Sequence, residues 1–184
     1  MPRRPPAAEP SGFVIRDEEA ADRDAISDIV AQAFRDHPYS NQRESALIDA
    51  LRAAGALTIS LVAEAPAGAA SGEVIGHVAF SPVTIGDMPG AWYALGPLAV
   101  RPDRQRAGIG AALVREGLVR LRRMGAEGCA LVGDPGYYAR FGFSANPALQ
   151  MTGIPPQFVL ALPLAAATAP RGIIEHHPAF AAFI

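Results

Sequence analysis

Residues 98 to 110 read Leu98-Ala-Val-Arg-Pro-Asp-Arg-Gln-Arg-Ala-Gly-Ile-Gly110, and how this stretch is read decides the fold. An apolar strand end runs into a Gly-containing turn, and a helix begins where the turn closes. The first turn of a helix leaves backbone N–H groups without intrahelical partners. Those donors, together with the positive end of the helix dipole, suit a pyrophosphate. Gly108 and Gly110 let a bulky anion approach the backbone where a Cβ would obstruct it. Just upstream, Gly96-Pro97 argues against regular pairing, so a bulge or a local splay is predicted in that strand.

Gln105-x-x-Gly108-x-Gly110 taken alone is a weak signal, because short Gly motifs recur by chance. The downstream residues add weight to it. From Gly110 to Met124, Leu113, Val114, Gly117, Leu118, Leu121 and Met124 share one arc, while Arg115, Glu116, Arg120, Arg122 and Arg123 fall outside it. That is the pattern of an amphipathic helix. Gly125 and Gly128 close the helix, and Cys129-Ala-Leu-Val132 is predicted as a short buried strand. Asp134-Pro135 then supplies an N-cap and a first helical residue for a short helix that Gly142 ends. Strand, turn, helix and strand make a βαβ-like unit. A dinucleotide-binding turn would need Gly-x-Gly-x-x-Gly, which is absent. A Walker A loop needs a lysine, and all sixteen basic residues of the chain are arginine.

Taken together, Leu95 to Val100, Gln105 to Gly110 and Gly133 to Phe143 resemble the acetyl-CoA signature of the GNAT N-acetyltransferases, in the wording of their YhbS-like bacterial branch. His177-Pro-Ala-Phe180 is similar to that branch as well. The resemblance implies a mixed α/β fold, with a mostly antiparallel, centrally splayed sheet and helices on both faces. It further implies acetyl-CoA as cosubstrate, with a primary amine of a small molecule or a peptide amino terminus as acceptor.

Composition bounds the remaining possibilities. With 184 residues and 50% hydrophobic content, a single domain over 11–184 with a buried core is expected, after a proline-rich, disordered lead over 1–10. Net charge is −2, which offers no basic face to nucleic acid. No apolar run approaches the roughly 20 residues of a membrane span, and the N-terminal residues lack the apolar core of a signal peptide. One cysteine, Cys129, excludes an intrachain disulfide and fits a reducing compartment, so a cytoplasmic protein is expected. Homodimer formation stays open.

Elsewhere the chain alternates strand and helix patterns. Gly12 to Arg16 reads as a strand, Asp22 to Phe34 as a helix with a stripe of Ile26, Ile29, Val30, Ala33 and Phe34, and Asn41 to Glu44 as a capping-box-like start of a second helix ending near Gly55. Leu57 to Ala63 and Glu73 to Ser81 read as antiparallel strands, the latter with Val74, Gly76, Val78 and Phe80 on one face. Met88 to Gly90 is predicted as the turn before the strand ending at Val100. Gln157 to Leu162 and Ile173 to His176 are the last expected strands.

Acetyl transfer from a thioester requires a held cofactor, a stabilised oxyanion, and routes for a proton off the amine and onto the thiolate. By resemblance, Leu98, Ala99 and Val100 offer backbone groups to the pantetheine arm and the thioester carbonyl. Gln105, Arg106, Ala107, Gly108, Ile109 and Gly110 would cradle the pyrophosphate, mostly through main chain, with Arg104 or Arg106 adding charge. Tyr138, four residues before Gly142, takes the family's proton-donor place and would protonate the departing thiolate. Tyr137, about 100° further round a helix, is predicted to pack. For the general base, Glu73, His77, His37 and a water chain are all open. His176 and His177 face opposite ways on a strand and carry no metal reading. Two rivals are a transferase for a longer acyl-CoA and an acyl-CoA-binding sensor without transferase activity.

Overall fold

A computed structural model describes residues 12–35, 40, 42–66, 72–165 and 170–182. The expected lead over 1–10 and the candidate base His37 lie outside the described residues. In chain order come β1 (Val14–Asp17), α1 (Arg23–Phe34), α2 (Glu44–Ala53), β2 (Ile59–Glu64), β3 (Val74–Ile85) and β4 (Met88–Val100). They are followed by α3 (Ile109–Arg123), β5 (Gly128–Val132), α4 (Pro135–Tyr138), β6 (Ser144–Ala145), β7 (Leu149–Gln150), β8 (Val159–Pro163) and β9 (Gly172–His176).

The sheet order is β1-β2-β3-β4-β5-β8-β6, with β9 pairing the far end of β3 and β7 pairing β9. Neighbours along that order are antiparallel except β4 and β5. This is the mixed, mostly antiparallel sheet that the family resemblance implies. β4 and β5 stay paired only from Trp92 to Ala94 against Gly128 to Ala130, and past that point the two strands part. The splay therefore opens at the centre of the sheet. Among the described residues no helix is long and apolar enough to cross a membrane.

Alternation along the strands sorts the core onto two faces. Leu61, Val78 and Phe80 pack with Ile109, Leu113, Val114, Leu118 and Leu121 of α3. On the opposite face Val62, Val74 and Ala99 pack with Ile26, Ile29 and Val30 of α1 and Ile48 of α2. Gly117 is what lets α3 lie close, because a Cβ there would stand 2.3 Å from the Phe80 ring. A further cluster, with Trp92, Ala94, Ala130, Leu149, Val159, Ala161 and Ile174, closes the sheet near β7 and β9.

Several local expectations change. The turn into β4 is Gly86-Asp87, not Met88 to Gly90, for Ile85 pairs with Met88 and Gly86 has φ +54°. A two-residue hairpin loop of this kind favours a glycine at positive φ. Val74 turns to the α1 face, away from Gly76 and Phe80, because the β2–β3 register slips between Ala63 and Glu64. A one-residue bulge moves a side chain to the other face. The second helix starts at Glu44 with Arg43 as its N-cap, and Ser40 Oγ donates to Glu44; Asn41, from which a capping box is expected, lies outside the described residues. Met124 is 52% exposed at the end of α3, just outside the buried arc. The short strands β6 and β7 span two residues each, too few to carry a periodic signal in the sequence.

Candidate active site

The strand that turns into α3 is irregular where the sequence predicts. Between Leu98 opposite Val78 and Leu95 opposite Phe80, β4 holds one residue more than β3. Gly96 there has φ +149°, a backbone that favours glycine. Downstream of the bulge the ladder resumes, with Val100 opposite Gly76 and Arg101 N–H donating to Ile75 C=O at 3.0 Å. Pairs in an antiparallel ladder alternate between bonded and non-bonded. The Ala99 N–H therefore faces β3, and the N–H groups of Leu98 and Val100 turn away from it, toward the gap that opens beside β5. The Val100 carbonyl points the same way and accepts from Gln105 Nε2 at 3.1 Å, which braces the turn against the strand.

α3 begins bare. Its N-cap Gly108 sits at φ +83° with no side-chain cap, and the first turn holds no acidic residue. The first intrahelical bond is Ala112 N–H to Gly108 C=O, so the N–H groups of Ile109, Gly110 and Ala111 are left over. Arg106 adopts φ +61°, unusual for a residue with a Cβ, and it has no ion-pair partner among the described residues. Arg101 spends its charge on Glu73 and Asp103, and Arg104 lies 3.8 Å from Asp103. What remains at this helix start is a set of donors with a net positive field, suited to an anion.

Across the gap, Asp134 Oδ1 accepts from Gly136 N–H at 2.9 Å and caps α4. That helix, with the 3₁₀ turn Ala139–Phe141 behind it, ends at Gly142 with φ +91°. Tyr138 lays its ring on Gly133, where a Cβ would stand 2.5 Å from Cε2, and meets Phe143 edge-on at 5.9 Å. Burial pushes the Tyr138 phenol well above its usual range, so it holds its proton at neutral pH. Tyr137 takes another course. Its hydroxyl lies 3.1 Å from the place of a Cβ on Gly110, a point also 3.5 Å from Val100 Cγ2 and 3.8 Å from Leu98 Cδ2.

Leu98, Val100, Gly110 and Tyr137 are thus gathered at one place. Ala99 sends its side chain to the α1 face, and Ile109 is buried in the core beside Leu113. Tyr137 packs its ring against Tyr138 and Phe141, as the sequence leads one to expect, and in addition its hydroxyl reaches the helix start. The sequence places it one residue before Tyr138, and that position cannot tell which ring turns inward.

The base candidates separate. Glu73 is exposed and tied by an ion pair to Arg101, just past the Val100 end of β4. His77 is fully buried beneath α1, with Nε2 2.8 Å from Ser60 Oγ. Burial pushes its pKa down to about 4, against a smaller upward pull from Glu18. Cys129 is buried and unpaired, and burial pushes its thiol up, so it acts as a small apolar residue. His176 stacks on Phe180 at 4.0 Å, and His177 Nδ1 accepts from Ala179 N–H. Among the described residues no three His, Cys, Asp or Glu side chains come together as a metal site would require.

Comparison with known proteins agrees with this geometry. Residues 23–143 match the model of the acetyltransferase (GNAT) family. The chain is 36% identical over 131 residues to the uncharacterized N-acetyltransferase YhbS of Escherichia coli strain K12, covering 71% of this chain and 73% of that protein. A crystal structure of YhbS from Escherichia coli in complex with CoA superimposes with a TM-score of 0.83 at 32% identity, over 98% of this chain and 97% of the other. A GNAT family acetyltransferase from Brucella melitensis, in complex with acetyl-CoA, is 46% identical, with a TM-score of 0.79 over 92% and 99% of the two chains. With its bulged and parted β4, its uncapped α3 and this family match over most of its length, the chain belongs to the GNAT family of acetyltransferases.

Proposed function

We propose that this chain is an acetyl-CoA-dependent N-acetyltransferase that acetylates a primary amine, on a small molecule or a peptide amino terminus, by direct attack in a ternary complex. The observation that carries this reading is the meeting of two donor sets. The Leu98 and Val100 N–H groups face the gap, and the bare N–H groups of α3 begin beside it. Gly110 keeps the space between the α3 start and β4 clear, since a Cβ there would stand 3.1 Å from the Tyr137 hydroxyl and in contact with Val100 and Leu98. The two similar structures named above hold acetyl-CoA and CoA.

Acetyl-CoA, when bound, supplies the activated thioester. Residues of the chain would hold it, polarise its carbonyl and protonate the leaving thiolate, while the attacking amine gives up its proton to a base or a water chain. Gln105 to Gly110 and the first turn of α3 bind the diphosphate, with Arg106 adding charge. The Leu98 N–H or Val100 N–H polarises the thioester carbonyl and receives the developing oxyanion. Tyr138, kept protonated by burial, gives its proton to the departing thiolate. No protein nucleophile is needed, in keeping with the inert Cys129. A reducing, cytoplasmic setting belongs to the same reading.

Release of free thiol from acetyl-CoA, followed across a panel of small amines and short peptides, tests the proposal. Acceptor-dependent release that falls by at least tenfold in Tyr138→Phe, with acetyl-CoA affinity kept, is the expected result. Tight acetyl-CoA binding with no acceptor-dependent release would favour a sensor over an enzyme.

A further inference from the structure

Two adjacent tyrosines leave α4 in different directions, and only one of them reaches the helix start. Tyr138 is seated in the apolar cluster against Gly133 and Phe143. Tyr137 carries its hydroxyl to within 3.1 Å of the place where Gly110 lacks a Cβ. The Tyr137 ring is held there from several sides. The Arg140 guanidinium lies 4.6 Å from the ring centroid, and Arg140 Nε donates to the Tyr137 carbonyl at 2.9 Å. Tyr138 and Phe141 meet it edge-on at 4.9 Å and 5.7 Å. A ring fixed in this way loses little further freedom when its hydroxyl binds something.

The surroundings say what that something is. Next to the hydroxyl are Gly110, whose N–H has no helical partner, and the methyl groups of Leu98 and Val100. Leu98 and Val100 in turn face their N–H groups into the same gap. Burial pushes the Tyr137 phenol upward, so it stays a protonated O–H donor at neutral pH. The donors here are the Tyr137 hydroxyl and the N–H groups of Leu98, Val100 and Gly110, the Val100 carbonyl is taken up by Gln105 Nε2, and none of these groups is a carboxylate. Such a set complements a ligand rich in acceptor oxygens, and a phosphate oxygen or an amide carbonyl is of that kind.

We infer that Tyr137 is a positioning residue for the acyl donor, its hydroxyl donating to an oxygen of the diphosphate–pantetheine segment as that segment passes over Gly110. The inference rests on the acetyl-CoA reading above and divides labour between the tyrosines. Tyr137 holds the donor, whereas Tyr138 serves the leaving thiolate. Because Tyr137 stands on α4 and the diphosphate cradle on α3, the site becomes sensitive to where the one helix lies relative to the other.

The test compares Tyr137→Phe, which removes one oxygen and keeps the ring, with Tyr138→Phe and the wild type. Calorimetric titration with acetyl-CoA should show a Kd about five- to tenfold higher for Tyr137→Phe, the size of one hydrogen bond to a partly charged acceptor. At saturating donor its kcat should stay within about twofold of wild type, since a uniform binding contact is lost. Tyr138→Phe should show the reverse split. The unliganded melting temperature of Tyr137→Phe should match the wild type, and the upward shift produced by adding CoA should shrink. Gly110→Ala provides a second check, because its methyl would press on the Tyr137 oxygen. Its effect on Kd should be smaller in the Tyr137→Phe background than in the wild type. If wild type shows no CoA-induced shift, the acetyl-CoA reading itself falls. If wild type shifts and Tyr137→Phe shifts and binds equally, or loses kcat with Kd intact, Tyr137 has no positioning role.

Discussion

Ser60 Oγ lies 2.8 Å from His77 Nε2 and also bonds the Glu18 carboxylate, so one hydroxyl joins a buried imidazole to a charged group. Glu18 is held ionised: burial pushes its pKa up, but hydrogen bonds from Arg52 and Ser60 outweigh it and bring it down. A carboxylate only accepts, so the Ser60 O–H donates a hydrogen bond to Glu18 and its oxygen accepts from His77 Nε2–H. His77 Nδ1 is then bare, buried and without a partner. The arrangement holds His77 neutral and fastens β3 to the segment after β1.

Stability should therefore depend on pH in a defined direction. His77 titrates near 6.5 when unfolded and near 4 when folded, so between those values the unfolded chain binds more protons. Stability is fully present above about pH 6.5 and falls as pH drops toward 4, by up to about 3 kcal/mol for this residue. His176, also pushed down to about 4 by burial, adds a loss over the same window. Urea denaturation at pH 7.5 and pH 5.0 should show the drop, and His77→Gln should flatten it. A midpoint equal at both pH values would contradict the burial argument.

Gly117→Ala should destabilise the protein, although alanine is the better helix former by about 1 kcal/mol. A Cβ there would meet the Phe80 ring at 2.3 Å, and Phe80 is fully buried in the core, so its ring can move only by displacing core neighbours. Overpacking of this kind costs about 1–3 kcal/mol, so the net change is a loss. The midpoint of chemical denaturation measures it directly. A gain in stability would mean that α3 does not press on the sheet as described.

Asp134→Ala removes the one side-chain cap of α4, which accepts from Gly136 N–H at 2.9 Å. Loss of an N-cap costs about 1 kcal/mol. Because α4 carries both tyrosines, the expected result is a modest fall in melting temperature together with a larger fall in kcat/KM. Asp134→Asn, which keeps an accepting oxygen, should recover most of both.

Arg106→Gly separates charge from backbone at the helix start. Glycine adopts the left-handed conformation at φ +61° without strain, so folding stability should be kept or slightly raised. Donor affinity should fall by about three- to tenfold, and the loss should shrink as salt is added. Titration with acetyl-CoA at low and high ionic strength checks both parts. An unchanged affinity at low salt would assign the cradle to the main chain alone.

Local chemistry makes much of this protein legible in its sequence. The helix at Ile109, its termination near Gly125, the Asp134-Pro135 cap and the break at Gly96-Pro97 each follow from residues within one turn of one another. Capping, helical periodicity and glycine conformation act over that range, so sequence alone determines them. The Gly86-Asp87 hairpin is equally local, yet the proline of Met88-Pro-Gly90 gives a competing turn signal that the β3–β4 pairing overrides. The direction of Tyr137 over Gly110, the descent of Val74 to the α1 face and the seclusion of His77 beneath α1 depend on partners far away in the chain. They are set only when α3, α4 and the bulged strands pack together. A sequence encodes the bend and reach of its own backbone at short range, whereas the choice of which neighbouring ring turns inward is made by the surface it meets.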